Sequence, residues 1–322
     1  MSRTWTALLI LIALVLLALA GPRAETHLAW EEVAVPDDVT TWLADSEAAL
    51  GDVASGKEKG VIWADSAGRR TSVSVVYLHG FSASRVEAFP YPDSVAAALG
   101  ANLFYSRLAG HGRDNEDFGR STADEWYQSA VEAIRIGEAI GDSLIVIGLS
   151  TGATLAAAAS LEPELSRRWK AQIWISPNLT VHDPRSEVIL WPWGSVLLRL
   201  MAGETYSWEP QNELHAQIGN TSYDSRVLLE VVSLTDAVRS LPFEEIRTPT
   251  LVFYSGSDTV VNPEATERLF ADITAPKDSV VVRRALDRNM HVLVGDALGP
   301  ENTVPFARRT VAFVKALGSG TD

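Results

Sequence analysis

The chain has 322 residues, 47% of them hydrophobic, which is ample for a large core. Its net charge of −14 offers no basic footprint for nucleic acid and no attraction toward anionic lipid. It contains no cysteine, which excludes disulfides, thiolate metal sites and cysteine nucleophiles.

The N-terminus opens with the short positive stretch Met1, Ser2, Arg3, and Trp5 to Ala20 is almost wholly apolar. Ala18 and Ala20 stand at the two positions that a signal peptidase reads. The flank that follows carries Glu25, Glu31 and Glu32, so Arg3 is expected to stay in the cytoplasm while the rest crosses. A spanning helix wants roughly 20 apolar residues, and this run is somewhat shorter. Residues 1–20 are therefore expected to be a cleaved signal peptide or an uncleaved signal anchor that holds residues 5–20 in a membrane. Both readings export the catalytic domain, to the periplasm or the extracellular space.

Residues 21–55 read as an N-terminal extension with an amphipathic helix near 41–50. From residue 56 a strand–helix alternation begins. Strands are expected at 60–65, 71–80, 101–108, 143–150, 171–178, 248–258 and 278–286. Helices are expected within 86–100, over 122–141, where Thr122 and Glu125 form a capping box, over 151–161 and over 306–318. Near-continuous apolar strands alternating with helices predict an α/β fold with a mostly parallel, doubly wound sheet covered on both faces. Residues 179–246 interrupt the pattern and are too long for a crossover, so they read as an inserted, largely helical cap. The core is then 56–178 together with 247–322.

The stretch "IVIGLSTGAT" (145–154) places Ser150 between Gly148 and Gly152, where a strand gives way to a helix. A serine hydroxyl is a weak nucleophile that needs a base beside it. The Gly-x-Ser-x-Gly turn exposes the serine on a sharp bend and sets the first N–H groups of a helix near a developing oxyanion. In this architecture the order is serine, acid, histidine. Of the six histidines, only His291 follows the last expected strand. Asp258 lies just past a strand end, as an acid that orients an imidazole should. Asp224 and Asp236 fall in the insertion, and Asp287 is the one competitor. The oxyanion donors are expected to be the backbone N–H of Thr151, after the nucleophile, and that of Phe81, in the turn His79-Gly80-Phe81.

These residues together give the chain its resemblance. It resembles the α/β-hydrolase superfamily, and most of all the carboxylesterase and monoglyceride-lipase-like branch, sometimes grouped with serine aminopeptidase-like hydrolases. The resemblance rests on His79-Gly80-Phe81, "RLAGHG" (107–112), the turn at 148–152, "GSD" (256–258) with "VVNP" (260–263), and His291-Val292, and it covers about 56–318. It implies the α/β-hydrolase fold and a structural role for His111. Two stretches depart from the usual pattern, Thr151-Gly152-Ala153 after the serine and Arg288-Asn289-Met290 before the histidine.

The expected function is a serine hydrolase that cleaves carboxylic esters of small molecules through Ser150, Asp258 and His291, with no metal and no organic cofactor. The same residues would serve an amide or peptide hydrolase, a lactonase or a thioesterase. A non-catalytic scaffold would not need all three. In the insertion, Trp191, Trp193, Leu197, Leu198, Leu200 and Met201 suggest one apolar helical face. Trp191 and Trp193, stiffened by Pro192, are expected to rim an apolar acyl pocket above Ser150.

Overall fold

A computed structural model describes residues 3–318. Met1 and Ser2, the start of the expected signal peptide or anchor, lie outside the described residues. The main sheet has seven strands: β1 (Gly60–Ile62), β2 (Ser74–Leu78), β3 (Asn102–Tyr105), β4 (Leu144–Leu149), β5 (Trp169–Ile175) and, after two short cap strands β6 (Thr205–Ser207) and β7 (Ser222–Asp224), β8 (Thr250–Tyr254) and β9 (Lys277–Val281). Their order is β1-β3-β2-β4-β5-β8-β9; only β1 runs antiparallel to its neighbour.

Side chains alternate between the two sheet faces, as a period of two requires. Val76, Leu78, Phe104, Val146 and Trp174 enter one core with the helices Ala123–Ile140 and Thr151–Ser160. Val75, Tyr77, Leu103, Ile145 and Ile173 enter the other with Tyr91–Leu99 and Pro300–Ala316. Because both faces are covered, β4 is buried along its whole length. Each of its Ile and Val side chains then stabilises the fold by about 1.5–3 kcal/mol. The last residues of β4 and β8 thus open on one edge of a rigid sheet, where open α/β folds place their ligands.

All seven expected strands prove shorter, and one helix starts late. The strand at 60–65 is the three-residue edge β1, and that at 278–286 ends at Val281. The helix expected within 86–100 starts only at Tyr91, since Pro92 lacks an N–H and fits the first turn alone. The capping box forms: the Thr122 hydroxyl accepts from Glu125 N–H (3.3 Å), and the Glu125 carboxylate accepts from Thr122 N–H (2.8 Å).

The extension is part of the body. Its helix Val39–Ala48, capped by Asp38, buries Val39 and Leu43 in the core, and Glu47 pairs with the buried Arg107 at 2.8 Å. The apolar N-terminal segment is helical over Arg3–Leu19, and among the described residues no helix is long and apolar enough to cross a membrane. Between β5 and β8 the chain forms the cap from the helices Gly194–Ala202, Glu213–Ile218 and Val227–Arg239, a 3-10 turn at Pro184–Leu190, and the antiparallel pair β6–β7.

Candidate active site

Ser150 follows β4 and caps the next helix with φ 53° and ψ −117°, a conformation that a residue with a side chain adopts only under strain. The two glycines of the turn are sterically required. A Cβ at Gly148 would come within 2.5 Å of the Ala153 backbone, and one at Gly152 within 2.0 Å of the Leu78 carbonyl. The bend is pinned by the Ser150 N–H donating to Ile175 O across to β5 (2.9 Å).

His291 sits in a loop that follows β9, and Asp258 in the turn that follows β8. The Asp258 carboxylate accepts the N–H groups of Val260 (2.8 Å) and Val261 (2.9 Å) on Oδ1. Its other oxygen, Oδ2, lies 2.8 Å from His291 Nδ1. A carboxylate only accepts, so Nδ1 carries the ring proton and Nε2 is left as the acceptor. Nε2 lies 3.0 Å from Ser150 Oγ. Residues separated by 141 and 33 positions in the chain therefore form one hydrogen-bonded line, all three buried. Burial presses the His291 pKa down, but the Asp258 carboxylate, aided by Asp287 and Glu87, outweighs it and holds the imidazole above its ordinary value.

Thr151 is the first residue of a helix, so its N–H has no intrahelical acceptor. Phe81 lines the same cavity as Ser150, its ring held among His111, Phe118, Trp126 and Tyr223. His111 Nε2 accepts from Ser82 N–H (3.2 Å), while Nδ1 is 3.0 Å from Ala109 O. His79 Nε2 likewise accepts from Leu108 N–H (3.1 Å). Both rings are fully buried; burial pushes His79 down to about 4 and His111 well below the usual range, so both stay neutral and brace loops.

Asp287 does not contact the imidazole ring. Its carboxylate accepts the backbone N–H groups of Asn289 (2.9 Å), His291 (3.0 Å) and Val292 (2.8 Å), so the loop carrying His291 wraps around it. Two further residues of the site carry no sequence signal. Glu87 is buried in the cavity wall, where Oε2 accepts from Gly80 N–H (2.9 Å) and Tyr77 O–H (3.2 Å). A Cβ at Gly80 would stand 2.9 Å from Glu87 Oε1 and 3.3 Å from Ser150 Cβ, so any side chain there would crowd both residues. Burial pushes its pKa up to about 7. Gln211, from the cap, is the other: its amide donates to Asp287 Oδ1 at 2.6 Å.

A cavity of about 1100 Å³ lies above Ser150 and His291. Its apolar wall comes from Ile189, Leu198, Met201, Val231 and Val232 of the cap. Here the expected tryptophan rim is corrected: neither Trp191 nor Trp193 lines the cavity. Trp191 is 65% exposed, and Trp193 faces the N-terminal segment, donating through its N–H to Pro22 O (2.9 Å) and through its indole to Leu17 O (3.2 Å). Trp193 has a left-handed φ of 67°, which starts the helix Gly194–Ala202. In that orientation Leu198 points inward while Leu200 stays exposed. Away from the site, Asp52, Asp114 and Asp117 bring carboxylate oxygens within 4.8 Å of one another. Arg113, bonded to Asp52 (2.8 Å) and Asp117 (2.6 Å), already supplies the positive charge that cluster calls for.

Residues 75–297 match the model of the alpha/beta hydrolase family, a segment that contains Ser150, Asp258 and His291. A thermostable monoacylglycerol lipase from Bacillus sp. (strain H-257) is 25% identical over 210 residues, which covers 65% of this chain and 80% of that protein. Among solved structures, a metagenome-derived lipolytic enzyme superposes with a TM-score of 0.66 at 21% identity, covering 82% of this chain and 99% of its own. The monoacylglycerol lipase of Paleococcus ferrophilus superposes with a TM-score of 0.60 at 17% identity, covering 80% and 98%. The chain belongs to the alpha/beta hydrolase family, with a monoacylglycerol lipase among its relatives.

Proposed function

We propose that the chain is a serine hydrolase that cleaves carboxylic esters with uncharged acyl groups. The observation that carries this reading is the line Ser150–His291–Asp258 at the floor of an apolar-walled cavity. Ser150 Oγ attacks the ester carbonyl while His291 Nε2 takes its proton. Asp258 holds the imidazole in the required tautomer and stabilises it once charged. The N–H groups of Phe81 and Thr151 receive the oxyanion, and the helix that starts at Thr151 adds its positive dipole end. His291 then returns the proton to the departing alcohol. Water, deprotonated by the same imidazole, releases the acid from the acyl-enzyme. This chemistry calls on side chains and backbone alone.

The apolar wall supports a preference for short to medium uncharged acyl chains, and each methylene it buries would add about 0.8 kcal/mol of binding. The named lipase relatives support a lipid ester as the substrate class. The apolar leader supports export of the catalytic domain, either released by cleavage after Ala20 or held by the leader as an anchor. The test combines a fluorophosphonate probe with a panel of p-nitrophenyl esters of increasing chain length. Labelling at Ser150, with kcat/KM rising and then falling along the panel, is expected. A folded chain that takes no probe and cleaves no ester sinks the reading. N-terminal sequencing of exported material decides the leader's fate: a start at Gly21 means cleavage.

A further inference from the structure

The cap does more than roof the cavity. Just before its helix Glu213–Ile218, two consecutive side chains reach into the loop that carries His291. Gln211 uses both ends of its amide: Nε2 donates to Asp287 Oδ1 (2.6 Å), and Oε1 accepts from Arg288 N–H (3.0 Å). Asn212 Nδ2 donates to Ala297 O (2.8 Å) at the far end of the same loop. Gln211 is itself fixed, since its N–H donates to His215 Nδ1 (3.1 Å).

What the cap grips matters for the chemistry. Asp287 is the hub of the loop, and the N–H of His291 is one of the donors it holds. The loop is strained at Met290, whose φ is 53°, so it needs its hydrogen bonds to keep this shape. On the other side, Ser176 Oγ donates to His291 O at 2.6 Å. The path from cap to base is therefore short: Gln211, the Asp287 carboxylate, the His291 backbone.

We propose that Gln211 is a positioning residue for His291, so that the cap completes the aim of the general base and its displacement loosens that aim. This rests on the serine-hydrolase reading above. A mere fastener between cap and core would behave differently. Its loss would reshape the cavity and raise KM, or lower stability, and would leave the attack by Ser150 unchanged.

The charges around the base fix the expected pH response. His291 faces Asp258, Asp287 and Glu87, and Asp287 also faces His215. A further negative charge beside Asp287 would hold the His291 proton to higher pH, moving the acid limb of kcat/KM upward.

Two near-isosteric variants of the full chain test the proposal. Gln211→Met keeps the bulk and removes both hydrogen bonds, and Gln211→Glu sets a second carboxylate against Asp287. Each is assayed for the rate of labelling by a small fluorophosphonate, for kcat and KM on p-nitrophenyl butyrate against pH, and for thermal unfolding. For Gln211→Met, kcat and the labelling rate should both fall about tenfold or more, the scale of one lost charge-assisted hydrogen bond. KM should stay within about threefold of the wild type. Gln211→Glu should fall further and shift the acid limb to higher pH. Folded variants that label as fast as the wild type, or that change KM alone, overturn the positioning role while the ester-hydrolase reading stands. A wild-type chain that takes no probe overturns both.

Discussion

Replacing Glu87 with glutamine tests how burial acts on a carboxyl at the heart of the site. The amide keeps the shape, and its oxygen takes over the bonds from Gly80 N–H and Tyr77 O–H. Burial raises the Glu87 pKa from 4.5 to about 7, with the Gly80 N–H, His291 and Tyr77 pulling it partly back. The sign follows from linkage. Below pH 4.5 the group is neutral in both the folded and unfolded chain and ionisation costs nothing. As the pH rises toward 7 the unfolded chain ionises freely and the folded chain resists, so stability is lost across that window. At 1.36 kcal/mol per unit the loss comes to about 3 kcal/mol. Glutamine never ionises, so Glu87→Gln should gain on the wild type as the pH rises. A small gap at pH 5 should open to about 3 kcal/mol above pH 8, or about 5 °C in Tm for a chain of this size. Urea unfolding at pH 5, 6.5 and 8.5 measures it. The variant also removes a negative neighbour of His291, so the acid limb of kcat/KM should move to lower pH. A gap that stays constant with pH, or one that closes as the pH rises, would refute the reasoning.

The turn at Ser150 stores strain that glycine would not feel, so Ser150→Gly should unfold about 1–2 kcal/mol later than Ser150→Ala. Both should lose about 10⁴ or more in kcat, and equal stability would mean that the turn is relaxed. Asp258→Asn should fold and lose about 10⁴ in kcat, because its amide no longer enforces the tautomer. Asp287→Asn turns a donor toward backbone N–H groups, so it should cost about 1–3 kcal/mol in denaturant unfolding; a neutral result would remove Asp287 as the hub of the His291 loop. Leu198→Trp should shift the ester optimum to shorter acyl chains by filling the cavity, while Trp193→Ala should leave the chain-length profile where it was.

Residues that are forced by local sterics or by chain order were legible in the sequence. Gly148 and Gly152 are glycines because backbone from β2 and the following helix passes where a Cβ would be. That necessity shows in the string as a fixed spacing around Ser150. Asp258 and His291 were legible because each follows a strand, and strand ends in a parallel sheet converge on one edge. Asp258 serves structure and chemistry with one carboxylate: Oδ1 accepts the N–H groups of Val260 and Val261 in its turn, and those bonds aim Oδ2 at His291.

The parts that escaped the sequence depend on direction in space. Glu87 lies seven residues beyond Gly80, in the stretch 86–100 read only as holding a helix, and nothing in its neighbours marks it as buried. Gln211 meets Asp287 across 76 positions, with no periodicity to link them. Trp193 is the sharper lesson. Its apolar surface did imply a partner, and it has one, but the partner is the backbone at Leu17 and Pro22 and not the cavity above Ser150. Hydrophobic pattern reports that a face will be covered; which neighbour covers it is decided by backbone angles such as the left-handed φ at Trp193. The cavity wall consequently falls to Leu198 and Ile189, ordinary aliphatic residues that look in the string like packing. In this cap, binding wall and core are made of the same residue types, and only the turn that precedes the helix assigns one role or the other.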